Sequence, residues 1–189
     1  IRFRIDGYTR EAGVRRLEQV IASLLRKCVV MLSVGDTKRI SITPETIKDL
    51  LGPEKYLPES IEKQDLVGVV NGLAYTSVGG TITQIEVVTV PGTGKLELTG
   101  SLGDVMKESA KTALTFVHSV AEKYGIDNEV FTKRDIHIHA PEGAVPKDGP
   151  SAGVTMATAI LSALGGFKVD RYVTMTGEIS LTGRVMKIG

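Results

Sequence analysis

The 189-residue chain has a globular composition, with 42% hydrophobic and 24% charged residues, and is long enough for one domain or two small ones. Its 23 basic and 22 acidic side chains give a net charge of +1, so no overall field directs it to nucleic acid or to an anionic membrane. A single cysteine, Cys28, excludes an internal disulfide and favours a reducing compartment, while the lack of Trp argues against a stacking platform for single-stranded nucleic acid.

The first part of the chain predicts two helices followed by a linker. After Thr9, apolar residues recur at three-to-four spacing, the pattern of one long amphipathic helix. They are Val14, Leu17, Val20, Ile21, Leu24, Leu25 and Cys28. A short strand is predicted over 39–42. A threonine cap followed by Pro44, and Gly52 before a second proline, predict a short helix between them. The polar residues 53–65 predict a linker.

From Leu66 onward the pattern changes to glycine-punctuated, β-rich sequence with two further helices. Strands are predicted over 66–76, 81–90, 96–99, 135–140, 172–175 and 180–188. One helix is predicted to begin at a capping-box-like pair, Ser101 and Asp104, and to end at Gly125. Residues 151–164 predict an apolar helix that is too short to cross a bilayer. This order of elements favours an α/β or α+β sandwich.

The sequence PKDGPSAG at 146–153 leads directly into this apolar helix. Glycine and proline force a tight bend, and a helix N-terminus collects unpaired backbone N–H groups, so Ser151 could present its hydroxyl beside an oxyanion hole. That geometry suits acyl transfer. The alternative is that Ser151 is only the N-cap of the helix, the more frequent role of a serine there. A nucleophile also needs a base, which spacing alone does not identify.

Other candidate sites have weaker support. His137 and His139 share one face of a predicted strand and could chelate a metal, but a third ligand is not evident, so a structural or supporting role is favoured. The sequence PGTGK at 91–95 resembles the end of a phosphate-binding loop, yet it lacks the earlier glycine and the hydroxyl after the lysine, so a hairpin turn is favoured. His118 is predicted as a half-buried helix residue. Arginines on the first helix favour a solvated face, with a nucleotide or a neighbouring subunit as the alternative.

Taken together, these motifs resemble those of the Lon family of ATP-dependent serine proteases. The resemblance rests on PKDGPSAG at 146–153, on HIHAPEG at 137–143 before it and on MTGEISL at 175–181 after it. In addition, YTREAGVR at 8–15 resembles the helical subdomain that closes the AAA+ ATPase module of the family. The resemblance covers essentially the whole chain. It implies an endopeptidase that degrades damaged, misfolded or short-lived regulatory proteins, with Ser151 as the nucleophile of a Ser–Lys dyad.

The resemblance also implies where the general base lies. In the family, an uncharged lysine follows the strand end at 188–189 within a Gly-Gly-x-Lys-Glu-Lys motif. The dyad lysine is therefore expected beyond Gly189, and Lys187 receives no catalytic role. We expect this segment by itself to lack the base and to be inactive.

Further roles follow from the same resemblance. Thr176 matches a threonine that helps to hold the dyad lysine, and Arg15 matches an arginine that senses the phosphates of the nucleotide. The remaining supporting positions are Asp148, Glu86, His137 and His139. ATP with Mg²⁺ is implied for the intact protein, and no cofactor is expected on this segment.

The resemblance implies unfolded or damaged proteins as substrates and a homohexameric ring, with DNA as a further partner of the full-length protein and no membrane association. The bacterial cytoplasm is preferred to the mitochondrial matrix as the location. The implied fold is α/β (α+β): a small helical subdomain over 1–58, a linker over 59–65 and a mixed proteolytic domain over 66–189, truncated at its C-terminal end.

Two competing functions remain at this point. A non-catalytic Lon-like module would regulate an attached ATPase or bind partners, and the presence of a lysine in the expected motif after residue 189 would favour the enzyme instead. A metal enzyme built on His137 and His139 would lose its activity to chelators.

Overall fold

The structure is a computed structural model that describes residues 7–35, 39–56, 63–76, 78–141 and 145–188. Of the predicted linker, residues 59–62 lie outside the described residues, as does Gly189. The chain divides into two compact units, one drawn from 1–60 with Thr76–Gly79 and the other from 61–75 with 80–189. Within the described ranges, no helix is long and apolar enough to span a membrane.

The two helices predicted for the first unit are present as α1 (Arg15–Val34) and α2 (Pro44–Leu51). The Glu11 carboxylate accepts the N–H groups of the residues at positions 16 and 17, at 3.0 and 2.9 Å, and so caps α1. Thr43 caps α2 by accepting the N–H of Thr46 at 3.2 Å. Both helices contribute to a small core, which consists of Tyr8, Leu24, Cys28 and Ile47.

The prediction of a strand over 39–42 is wrong. These residues have no regular secondary structure, and none of the strands in the described ranges pairs with them. Ile40 and Ile42 instead pack against the core between the two helices. A strand needs a neighbour to satisfy its backbone groups, and this segment has only helices beside it.

A five-stranded mixed sheet forms the centre of the second unit. Its strands are β2 (Val69–Thr76), β3 (Gly79–Pro91), β4 (Leu96–Thr99), β5 (Arg134–His139) and β7 (Thr174–Met175). They lie side by side in the order β4-β5-β3-β2-β7. Strand β5 pairs antiparallel with β3 and parallel with β4. Two short strands, β1 (Leu66–Val67) and β6 (Lys168–Val169), form a separate antiparallel pair.

Two long helices share the hydrophobic core with this sheet. They are α3 (Asp104–Val120) and α5 (Gly153–Gly165), which pack against each other. Between them in sequence lies the single turn α4 (Val130–Lys133). The core joins fully buried side chains of both helices, such as Val117 and Ile160, to strand residues such as Ile138. The predicted α/β class, with a helical part followed by a mixed α/β part, is confirmed.

Several details of the second unit differ from the sequence prediction. The strand predicted over 66–76 is interrupted at Gly68, which has a φ of +75°, and divides into β1 and β2. The strand predicted over 180–188 is a hairpin, β8 (Glu178–Ile179) and β9 (Val185–Met186), because Gly183 adopts a φ of +82° and closes a turn. The strand predicted over 172–175 is shortened to β7, since Asp170 holds residues 172 and 173 in a turn. The start of α3 has no capping box: its N-cap is Gly103, without a side-chain cap from Ser101.

Candidate active site

Ser151 lies in a single 3-10 turn, Pro150–Ala152, that runs straight into α5. The turn is sharp because Gly149 takes a φ of +109° and because the ring of Pro150 fixes its own φ. Immediately after it, Gly153 is buried so tightly that a Cβ there would lie 2.9 Å from both the Ile179 nitrogen and the Ser109 hydroxyl. Position 153 therefore has no room for a side chain unless these neighbours move, and Ser151 lies half-buried at the bend.

The turn is fastened to the segment that follows β7. Gly177 donates its N–H to the Ser151 carbonyl at 2.7 Å, and its own carbonyl accepts the N–H of Val154 at 3.1 Å. The Thr176 hydroxyl donates to the same Ser151 carbonyl at 3.4 Å. Thr176, predicted from the resemblance, thus lies directly beside Ser151, and Gly177 fixes the backbone on both sides of the bend.

Asp148 anchors the other end of the loop to α3. Its Oδ1 accepts the N–H of Met106 at 3.0 Å and the N–H of Gly149 at 2.8 Å. Hydrogen bonds from these backbone N–H groups hold the pKa of the Asp148 carboxyl below its usual value, and the N–H of Gly149 contributes most. The carboxylate lies against Gly103, where a Cβ would come within 2.2 Å of Cγ. Asp148 therefore caps α3, the role that the sequence had suggested for Ser101.

The backbone amides of the turn are mostly engaged. Gly153 donates to the Pro150 carbonyl, Val154 donates to Gly177 and Gly149 donates to Asp148. Proline has no N–H. None of these contacts uses the amides of Ser151 and Ala152, and a nucleophile's own N–H is an established type of oxyanion donor.

His137 and His139 do share one face of β5, as their spacing predicted. Both turn toward Thr99 on β4, whose hydroxyl oxygen lies 2.8 Å from Nε2 of His137 and 2.7 Å from Nδ1 of His139. Glu86 on β3 is the cross-strand partner of His139. Among the described residues, no group of three His, Cys, Asp or Glu side chains could hold a metal ion. The two histidines therefore meet at the Thr99 hydroxyl, and Glu86 lies opposite His139 on the neighbouring strand.

The loop at 91–95 that resembles a phosphate-binding loop is already filled by an aspartate. Asp135 Oδ1 accepts the N–H of Thr93 at 2.7 Å and that of Lys95 at 2.8 Å. The N–H groups of Lys95 and Thr93 lower the pKa of this carboxyl. The carboxylate occupies the position of an anionic ligand, which agrees with a closed turn at the start of β4.

Sequence reasoning missed three residues of this region. Gly177, Thr99 and Ser109 each touch a predicted site residue or the nucleophile turn through a contact that crosses between elements. Only the alternation of β4 and β5 could have placed Thr99 beside the histidines, and the strand pairing was not readable from one sequence. Arg15 is the exposed first residue of α1 and belongs to the other unit.

Comparisons with known proteins bear on both units. Residues 41–189 match the Lon protease (S16) C-terminal proteolytic domain, and residues 1–40 match the Lon protease AAA+ ATPase lid domain. The Lon protease of Clostridium acetobutylicum is 53% identical over 185 residues, and Lon protease 1 of Bacillus subtilis and the Lon protease of Aquifex aeolicus are each 55% identical. Each alignment covers 98% of this chain and 23–24% of the relative. The chain thus spans about a quarter of the length of these curated bacterial relatives.

Proposed function

Since this chain belongs to the Lon protease (S16) family, we propose that the full-length protein is an ATP-dependent serine endopeptidase with Ser151 as its nucleophile. The observation that carries the proposal is the turn at Pro150–Ala152, which holds Ser151 at the start of α5 and fastens its carbonyl to Thr176 and Gly177. Such a bend keeps a serine hydroxyl accessible while its backbone stays rigid, as a nucleophile requires.

In the proposed mechanism, Ser151 Oγ attacks the carbonyl carbon of the scissile peptide bond and gives its proton to the uncharged amine of the dyad lysine. The oxyanion accepts a hydrogen bond from the N–H of Ser151. The intermediate then collapses, and the lysine returns the proton to the leaving amine. Water then gives a proton to the lysine and attacks the acyl carbonyl; collapse of this second intermediate releases the carboxyl product and Ser151 Oγ, which takes the proton back from the lysine.

The base is assigned to the family lysine expected after Gly189, and Thr176 is assigned to orient it. The Thr176 hydroxyl uses its hydrogen toward the Ser151 carbonyl, so its lone pairs can accept an N–H from the lysine. One threonine would thereby link the base to the backbone of the nucleophile. Burial of the amine would lower its pKa and keep it uncharged.

The remaining assignments concern the intact protein. ATP with Mg²⁺ would act in the ATPase module, with exposed Arg15 at the start of α1 sensing the nucleotide phosphates. Unfolded, damaged or short-lived regulatory proteins are the proposed substrates, degraded in the bacterial cytoplasm by a homohexameric ring. The near-neutral charge of this chain gives no support to DNA binding through these residues.

The test is the substitution Ser151→Ala in the full-length protein. Cleavage of an unfolded protein substrate should be abolished, while ATP hydrolysis continues, because the hydroxyl is needed only for acyl transfer. A matched control is Ser119→Ala, which removes an exposed hydroxyl that bonds only within α3 and should change neither activity. Peptide cleavage that survives in S151A would refute the assignment and favour a non-catalytic module.

A further inference from the structure

A buried hydroxyl lies directly behind the nucleophile turn. Ser109, on α3, is only 7% exposed, and its Oγ donates to the carbonyl of Pro150 at 3.3 Å. The same hydroxyl lies against Gly153, where a Cβ would come within 2.9 Å of it. Ser109 therefore contacts the residue before Ser151 and packs beside the residue two positions after it.

This hydroxyl is not explained by the needs of the helix. A serine inside a helix usually turns to water or bonds back to the carbonyl four residues earlier. Ser109 does neither, and the neighbouring core positions on α3 are Ala110 and Ala113, both fully buried. An alanine would suit this packing and would favour the helix. The hydroxyl is instead directed across the interface, to a carbonyl of the nucleophile turn.

Two anchors on α3 bracket the loop before Ser151. The N–H of Met106 holds Asp148, and the hydroxyl of Ser109, less than one helical turn further on, holds Pro150. The Pro150 carbonyl also accepts the N–H of Gly153, the bond that closes the 3-10 turn. Ser109 thus supports the very carbonyl whose position determines the shape of the turn.

We propose that Ser109 is a positioning residue for the nucleophile, an inference that rests on the proposed role of Ser151. Its hydroxyl keeps the Pro150 carbonyl oriented, so that Ser151 Oγ and the Ser151 amide stay in register with the peptide carbonyl under attack. Small displacements of a nucleophile reduce the rate of the chemical step steeply, by about a hundredfold for 1 Å. Ser109 does not touch the substrate in this scheme.

The experiment compares Ser109→Ala with Ser162→Ala in the full-length protease. Ser162 is a fully buried serine on α5 that accepts from Gly68 and donates to Phe167. Its loss should lower stability at least as much as the loss of Ser109, but far from the nucleophile turn. For each variant, kcat and KM for a fluorogenic peptide, the rate of labelling by a fluorophosphonate and hydrogen exchange of the peptide spanning 149–154 are measured.

For S109A we expect kcat to fall about tenfold with KM within twofold, labelling of Ser151 to slow in parallel and exchange at 149–154 to increase. S162A should keep kcat, labelling and this exchange rate per folded molecule. If S109A retains all three, Ser109 is only a stabilising residue and the proposal is wrong. Cleavage that persists in S151A would overturn the proposed function, and the positioning role of Ser109 with it. If S151A is inactive but hydrogen exchange at 149–154 is unchanged in S109A, only the positioning role is overturned.

Discussion

The second unit contains two turns rich in glycine and proline, at 91–95 and at 146–153. They are similar in composition but differ in whether an aspartate carboxylate fills the turn. In each, an aspartate carboxylate accepts two backbone N–H groups. Asp135 bonds the amides of the turn at 91–95 and fills it. Asp148 lies within its own loop but accepts the N–H of Met106 in the first turn of α3, and so it fastens the loop at 146–153 to that helix. The residues that the carboxylate contacts, rather than the glycine content, distinguish the closed turn at 91–95 from the turn that carries the proposed nucleophile.

Both carboxylates depend on a glycine for space. A Cβ at Gly92 would lie 2.1 Å from Cγ of Asp135, and a Cβ at Gly103 would lie 2.2 Å from Cγ of Asp148. Gly103 has a φ of −72° that any residue can adopt. A glycine is needed there because the Asp148 carboxylate leaves no space for a Cβ, and not because of the backbone conformation. The two turns thus share one arrangement, an aspartate carboxylate packed against a glycine. At 91–95 it closes the loop, and at 146–153 it attaches the loop to α3.

The largest effect that would test this difference is expected at Asp148. Asp148→Ala removes the acceptor for the Met106 and Gly149 amides, so the nucleophile loop loses its attachment to α3. We expect kcat for peptide cleavage to fall tenfold or more. Asp148→Asn should keep most of the activity, because its amide oxygen can accept the same N–H groups. Steady-state kinetics of the full-length protease measure both.

A double-mutant cycle with Gly103→Ala sharpens this test. The added methyl should displace the Asp148 carboxylate, so G103A alone should lower kcat, and it should add little once D148A is present. The control is Gly13→Ala, where a Cβ meets nothing within 4 Å. Equal losses in D148N and D148A would show that the negative charge acts, and not the cap.

At the other turn, the effect should fall on stability. Asp135→Ala leaves the amides of Thr93 and Lys95 without their acceptor, so we expect a lower Tm for the proteolytic part. The kcat of the folded protein should stay within twofold, since this turn serves the start of β4. Differential scanning fluorimetry and peptide cleavage, measured on the same preparation, separate the two outcomes. A loss of kcat comparable to that of D148A would contradict the distinction between the turns.

Sequence reasoning predicted the longer helices α1, α2, α3 and α5 and most strands, but not the single turn α4, because periodicity over several turns and punctuation by glycine and proline are local signals. The hairpin at 178–186 and the irregular 39–42 segment depend on which strands find partners, which a local pattern does not contain. The site divides in the same way. The bend around Ser151 follows from its glycines and proline, whereas the cap from Asp148 to Met106 and the bond from Ser109 to Pro150 join residues about forty positions apart.

Protonation of Asp135 and Asp148 at low pH should lower the stability of the folded protein, by less than the substitutions D135A and D148A. Backbone N–H groups lower the pKa of Asp148 and of Asp135 in the folded protein. A lowered pKa contributes stability that is fully present above the unfolded aspartate value of about 4 and is lost as the pH falls through the folded values. Tm measured against pH should therefore drop below about pH 4, and less steeply in D135N and D148N. An unchanged slope in both variants would remove these carboxylates from the acid response.

The smallest effect is expected from removing transition metals. His137 Nε2 and His139 Nδ1 both lie within hydrogen-bond distance of the Thr99 hydroxyl, so a metal at those nitrogens would have to displace an existing contact and would still need further ligands. Phenanthroline in the presence of excess Mg²⁺ should therefore leave peptide cleavage unchanged. Inhibition that added Zn²⁺ reverses would assign catalysis to the histidine face of the sheet. Retained cleavage is the result expected if the Ser151 hydroxyl, and not a metal-bound water, is the nucleophile.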